Sequence, residues 1–440
     1  GGFKFREVPI NFDLNVGEII HGRTVAFALK TGAKPGAMKI LLAGTLSGLG
    51  SNPRIKGSIK GEAKSLEAFI IATQGSNLPN LLDQPLSFEA NIKAQADGAE
   101  IKGLELNLGN AKASGSVDIK ISKIVSITTR IVSRHINVDK LLSSKKSSRP
   151  SLSKSSSQTG SKASLVLGRE TENKLKNKTR FIIPKSVQAS LTLIAEAITY
   201  RGEIFSNGRI NAELSNGEIT LSQASAQFPG GSDVALFGFV TSISDKPQFE
   251  GELESTVNDL RGFLSWLGYD LDGIAKDRLR KLSLKTRVFA SQDQIKLKKL
   301  KLHIDSSKLN GGITLAMRKR PSFGVSVRIN KLNLDAYLPK KEQKAIKKET
   351  TSKLVNNKDK KKTPTKVIKN NNQFQALKLL NDLDANIEIQ VKSLMFREQI
   401  IKNAVFDGTL YNGSLDIRRL STDQLGGSRL FAKGRISNFG

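Results

Sequence analysis

The chain has 440 residues, with 70 Lys and Arg against 40 Asp and Glu, three His, one Trp and no Cys. That length allows several domains or one long repeat array. The missing cysteine excludes a disulfide scaffold, a thiolate zinc site and a cysteine nucleophile, and the net charge of +30 calls for an anionic partner or a solvated basic segment.

No run approaches the ~18 apolar residues of a membrane-spanning helix. The chain opens on Gly1 without a signal peptide and stops at Ser437-Asn438-Phe439-Gly440 without a closing element, so it reads as a fragment of a longer protein. Residues 1–82 read as a first β unit, ended by a strand that runs into a short helix. There Pro53 leads to Leu66 thirteen residues on, with Ser65 as the helix N-cap and Glu67-Ala68-Phe69-Ile70 following. Residues 83–142 read as a second β unit, with a candidate hairpin at Asp97-Gly98 and a closing helix Val138-Asp139-Lys140-Leu141-Leu142 capped by Asn137. Residues 143–178 then carry nine Lys or Arg and two Glu among many serines, with no apolar periodicity, and read as a disordered loop.

Residues 179–278 show the clearest strand pattern. Val187, Ala189, Leu191, Leu193, Ala195 and Ala197 alternate with Gln188, Ser190, Thr192 and Glu196, and Ile210, Ala212 and Leu214 repeat the period. Ser215-Asn216-Gly217-Glu218 predicts a two-residue hairpin turn that pairs Leu214 with Ile219, and Leu221 extends the same face. Gly230-Gly231 follows Asn216-Gly217 by fourteen residues. Pro247 then leads in thirteen to Leu260, capped by Asp259, and Trp266 extends that helix as a core anchor.

Residues 279–339 read as a further β unit. Leu300, Leu302 and Ile304 alternate with polar residues that include His303, and Pro321 leads in thirteen to Leu334, capped by Asn333. Residues 340–372 hold twelve Lys and three acids and read as a second disordered loop. Residues 373–440 alternate again at Ile387, Ile389 and Val391. Asn412-Gly413 pairs Leu410 with Leu415, and Gly426-Gly427 again follows fourteen residues later.

This patterning predicts a mainly β chain. Repeated antiparallel strands form a long curled sheet with an apolar groove, with short helices between repeats and two disordered basic loops. Curling lets one apolar face shelter itself where too few helices exist to cover it. The residues expected to line the groove are Leu191, Leu193, Ala195, Leu214, Ile219, Leu221, Ile387, Ile389, Val391, Leu410 and Leu415. The same pattern is equally served by ordinary packing against protein.

The stretches Leu383-Asp384-Ala385-Asn386, Ile400-Ile401-Lys402-Asn403-Ala404, Asp416-Ile417-Arg418-Arg419-Leu420 and Leu425-Gly426-Gly427-Ser428 resemble the C-terminal repeat of the AsmA-like family of bacterial envelope proteins. Residues 187–232 form a looser copy, and the tags at 138–142 and 334–338 also fit. The resemblance implies a periplasmic protein, held in the inner membrane by a helix outside this fragment. It is similar to the bridge-like lipid transfer proteins. It would shelter phospholipid and support lipid transport to the outer membrane and outer-membrane biogenesis. The matching motifs are turn and packing motifs, so no catalytic residue travels with them.

The expected partners are therefore phospholipid, a membrane surface reached by the basic loops, and outer-membrane assembly factors. Nucleic acid is not expected, because no aromatic residues interleave with the loop lysines. No enzyme is expected: no paired carboxylates, nucleophile elbow or phosphate loop is present, and His21, His135 and His303 are far apart. Asp270, Asp272 and Asp277 lack the spacing of a calcium loop. No cofactor and no metal is expected. A porin-type barrel would need aromatic girdles that a 6% aromatic content does not supply. The rival function is a dry β-repeat scaffold that assists outer-membrane protein assembly.

Overall fold

The computed structural model describes residues 1–5, 8–20, 23–65, 68, 84–143, 181–338 and 383–437. His21, the expected helix at Leu66 apart from Ala68, and both basic loops apart from Ser143 lie outside the described residues. The 22 strands belong to one mixed sheet that is not closed into a barrel. The chain divides into two compact units, 1–218 with 244–246, and 219–243 with 247–440.

The first unit contains β1 (Gly2–Phe5), β2 (Val8–Val16), β3 (Val25–Ala33), β4 (Met38–Ser47), β5 (Arg54–Ala63) and β6 (Leu86–Gln95). It continues through β7 (Gly98–Leu108), β8 (Ala111–Lys120), β9 (Val125–Asn137), β10 (Val187–Tyr200) and β11 (Glu203–Ser215). The second unit contains β12 (Glu218–Phe228), β13 (Ser232–Ile243), β14 (Lys246–Val257), β15 (Leu282–Ser291) and β16 (Gln294–Ile304), except that the first residues of β12 and β14 fall in the first unit. It continues through β17 (Ser307–Ala316), β18 (Ser322–Asn333), β19 (Asp384–Phe396), β20 (Gln399–Tyr411), β21 (Ser414–Leu425) and β22 (Ser428–Ser437).

Most neighbours are antiparallel hairpins, as expected, and two junctions are parallel. β9 pairs parallel with β10, Val125 opposite Val187, and β18 pairs parallel with β19, Ser322 opposite Asp384. A parallel pair needs a crossover that returns the chain to the strand's starting end. The two basic segments occupy those two connections in the sequence, between Asn137 and Val187 and between Asn333 and Asp384.

The junctions follow the ninth and the eighteenth strands, so nine strands make one period. β1–β9 form one copy, β10–β18 a second, and β19–β22 begin a third. The backbone repeats with them. The left-handed residues Arg201, Asn207, Asn216 and Gly217 recur as Arg397, Asn403, Asn412 and Gly413, and the interval is 196 residues each time (201 to 397, 216 to 412). Gly103 and Gly109 recur at the same interval as Lys299 and Asp305, all four at positive φ. Gly36-Ala37, Gly230-Gly231 and Gly426-Gly427 are three copies of one left-handed turn.

The expected Asn-Gly turns hold. Both Asn412 and Gly413 have positive φ, as a type I′ turn demands, and Leu410 faces Leu415. The Asp97-Gly98 turn does not: Gln95 faces Gly98, so Ala96 and Asp97 make the turn. Gly98 is already in β7, where a Cβ would strike the Ile119 carbonyl of β8. A close strand approach, and not a turn, accounts for this glycine.

The helix pieces are capped as expected. Ser65 accepts from the Ala68 N–H (3.1 Å), Asn137 from Lys140 (2.8 Å), Asp259 from Gly262 (3.1 Å) and Asn333 from Ala336 (3.3 Å). The Val138–Ser143 and Leu260–Trp266 segments are α-helical, whereas Leu334–Ala336 is a single 3-10 turn. Trp266 is half-buried beside Phe263, ring centroids 5.6 Å apart, and Phe263 in turn meets Phe228 at 6.1 Å.

Candidate functional site

Residues directly opposite one another in a ladder share a face. In the first unit this rule traces one apolar face through successive strands. Leu14 faces Leu29, Leu29 faces Leu42, and Leu42 faces Ile59. Further on, Phe88 faces Leu106, and Ile131 faces Leu193. The opposite face carries Lys30, Lys60, Glu89 and Glu105, with cross-strand ion pairs such as Lys60–Glu89 at 2.7 Å. These pairs are exposed and contribute little to stability.

The expected groove residues of the first unit lie on the apolar face. Leu191 faces Ala212 and Thr129, Leu193 faces Ile210 and Ile131, Ala195 faces Gly208 and Ser133, and Leu214 faces Ala189. In the second unit Ile387 faces Val325, Ile389 faces Val327 and Phe406, and Val391 faces Ile329 and Ala404. Leu410 and Leu415 face each other, and Leu415 also faces Ile436. Ile219 and Leu221 occupy alternate positions of β12 and are half-buried.

Burial separates these positions. Ala195, Val391 and Leu410 are buried, whereas Leu191, Leu193, Leu214, Ile387, Ile389 and Leu415 are half-buried. Among the described residues only sixteen hydrophobic side chains are buried, too few for a sealed core under a sheet of this size. Some apolar-face residues are open to solvent, with Leu14 52% and Ile210 40% exposed. Among the described residues the face keeps part of its apolar surface open to solvent.

The face extends well beyond the positions singled out above. Leu284, Leu302, Leu309 and Ile329 continue it across β15–β18, each opposite the next. Their alternation with Lys and Ser is as regular as that of residues 187–197, so extending the same reading would have found them. At two places the face narrows to glycine. A Cβ on Gly44 would lie 2.6 Å from the Gly57 Cα, and one on Gly238 would lie 2.6 Å from the Gly251 Cα. Paired glycines let β4 approach β5, and β13 approach β14, closely at equivalent points of the repeat.

Among the described residues no group of three or more His, Asp or Glu could hold a metal ion. His135 Nε2 lies 2.8 Å from Thr199 Oγ1 across the parallel junction, and His303 is exposed on the polar face between Ser283 and Lys308. Asp270 Oδ1 accepts the Asp272 N–H at 2.9 Å. Asp305 has the most developed environment: its carboxylate accepts N–H bonds from Leu279 and Arg280 (2.8 and 2.9 Å) and the Tyr337 hydroxyl (2.9 Å). Burial alone would raise its pKa, but those donors outweigh burial and hold it below the usual carboxylate value. Burial, and then the bond to Asp305, push Tyr337 up to about 12. The network pins the 3-10 turn after β18 to the loop before β15.

No described helix is long and apolar enough to cross a membrane. No family model, no curated protein and no solved structure matches the chain.

Proposed function

We propose that the apolar sheet face shelters phospholipid acyl chains, and that the chain is a non-enzymatic section of a periplasmic lipid conduit anchored in the inner membrane. The observation that carries this reading is the extended apolar face whose side chains stay half-buried. An acyl chain laid along it would remove that remaining surface from water, gaining about 0.8 kcal/mol per CH₂. A face built from repeated Leu, Ile, Val and Ala offers similar sites along its length, so a chain can slide without a deep trap. The AsmA-like resemblance of residues 383–428 points the same way. It suggests transport of phospholipid between inner and outer membranes in support of outer-membrane biogenesis.

Photocrosslinking tests the face directly. A benzophenone side chain at position 193 or 389 should label phospholipid in cell envelopes, and one at Gln188 or Gln390, on the other face, should not. Labelling from both faces alike, or from neither, would remove the reading. Protein crosslinks from 193 and 389 would instead favour a dry scaffold that assists outer-membrane protein assembly.

A further inference from the structure

The polar face of the second copy differs from that of the first in a way the fold does not require. β15–β18 contain no Asp or Glu, yet they carry Lys285, Arg287, Lys296, Lys298, Lys299, Lys301, Lys308, Arg328 and Lys331. The equivalent strands β6–β9 mix Glu89, Glu100, Glu105 and Asp118 with their bases. The equivalence is residue by residue: Glu89 faces Glu105 where Lys285 faces Lys301, and Glu100 faces Asp118 where Lys296 faces Thr314. The Lys60–Glu89 ion pair of the first copy reappears with its polarity reversed as Glu254–Lys285.

Like charges directly opposite on a sheet are destabilising. β15 and β16 nevertheless set Lys285 against Lys301 and Arg287 against Lys298. Glu254 and Glu252 on β14 neutralise Lys285 and Arg287 from one side, and Glu250 continues that acidic row opposite Phe289. Lys301, Lys308 and Arg328 are exposed and, among the described residues, have no carboxylate partner. Lys285, Lys301, His303 and Lys308 line a depression of about 400 Å³, with Glu254 as its one acidic member.

An apolar element accompanies the charge. Phe237 and Phe239 on β13 are 39% and 46% exposed. They flank Gly238, which meets Gly251 on the apolar side, so both rings project from the polar face. Ala43 and Thr45 flank the corresponding Gly44 in the first copy.

We propose that the basic polar face of β15–β18 docks on an anionic phospholipid bilayer, with Phe237 and Phe239 of β13 beyond its acidic edge on β14. Its charge is complementary to headgroup phosphates over a patch about 15–20 Å across. Lysine dominates it, which suits a diffuse anionic surface better than one bidentate phosphate. The exposed phenylalanines suit insertion at the headgroup boundary. Within β15–β18 Phe289 is covered by Lys298 Nζ at 4.4 Å from its centroid and offers no stacking platform, and retention of nucleic acid by the wider face is one of the outcomes tested below. The proposal concerns a different surface from the acyl-chain face and stands even if that face is dry.

The test is flotation of the full chain with vesicles of phosphatidylcholine plus phosphatidylglycerol, and with phosphatidylcholine alone, at low and high salt. The variant is K296E/K301E, which installs the residues that the first copy carries as Glu100 and Glu105, so the fold should tolerate it; circular dichroism checks that. Each base contributes roughly fivefold to affinity, so the variant should bind mixed vesicles at least about 25-fold more weakly, and wild-type binding should fall with salt. Three results would overturn the proposal. One is unchanged binding in K296E/K301E, with loss only when 144–180 and 339–382 are deleted. Another is equal binding to phosphatidylcholine alone. The third is retention of duplex DNA, but not of vesicles, by the wild type.

Discussion

Asp139 and Asp335 stand 196 residues apart and hold the same turn in the same way. Asp139 accepts the Arg201 and Gly202 N–H groups at 2.7 and 2.9 Å, and Asp335 accepts those of Arg397 and Glu398 at 2.7 and 2.9 Å. Each carboxylate thus ties the segment ending one nine-strand copy to the first hairpin of the next, where the turn residues have positive φ. A charged acceptor is needed because two donors converge on one side chain. Asp335→Ala should destabilise the second unit by about 1–3 kcal/mol. In hydrogen exchange it should speed Arg397 and Glu398 and leave Arg201 and Gly202 unchanged. Equal exchange at both turns in the variant would contradict that role.

The Asp305–Tyr337 pair gives a pH signature at both ends of the scale. The Asp305 pKa is lowered in the fold, so its contribution is present above the unfolded value of about 4 and is lost as pH falls through the folded value. Tyr337 is raised to about 12, so its contribution is intact below about pH 10 and is lost as pH rises toward 12. Asp305→Asn should flatten the acid limb of a stability–pH curve, and Tyr337→Phe the alkaline limb. Curves identical to wild type would show that the pair is not formed in solution.

The paired glycines of β4–β5 and β13–β14 predict a matched sensitivity. Gly44→Val and Gly238→Val each place side-chain atoms against the partner backbone and should cost about 1–3 kcal/mol in urea unfolding. Gly434→Val meets nothing within 4 Å and should be near neutral. A large loss at Gly434 with none at Gly44 would contradict the described register.

Charge introduced into the apolar face should separate folding from lipid holding. Leu193→Asp and Leu214→Asp lie at half-buried positions on neighbouring strands, so the double variant should stay folded while its phospholipid content drops severalfold. Wild-type lipid content in a folded double variant would show that acyl chains do not use this part of the face.

Local chemistry made much of the fold legible in the sequence. Asn412-Gly413 can adopt the mirror-image turn that most residues resist, and Ser65, Asn137, Asp259 and Asn333 each cap a following turn. Alternation at 187–197 and at 387–391 gave each of those strands one apolar face. The parallel junctions were not legible, because strand direction depends on what lies between strands and not on their own pattern. The 196-residue repeat was legible between 187–232 and 383–428, where the turn residues are the same, and hidden in the earlier strands, where only conformation is shared. Gly103 and Lys299, or Gly109 and Asp305, occupy the same left-handed backbone position with unrelated side chains. The basic polar face was hidden for the related reason that surface charge can change while register stays fixed.

Mass spectrometry of lipids extracted from the chain, purified from envelopes without detergent, tests the central claim most directly. Several phospholipid molecules per chain, reduced in the Leu193→Asp, Leu214→Asp variant, is the expected result. A stably folded chain that carries no lipid would mean that the apolar face closes on protein, and would contradict the conduit.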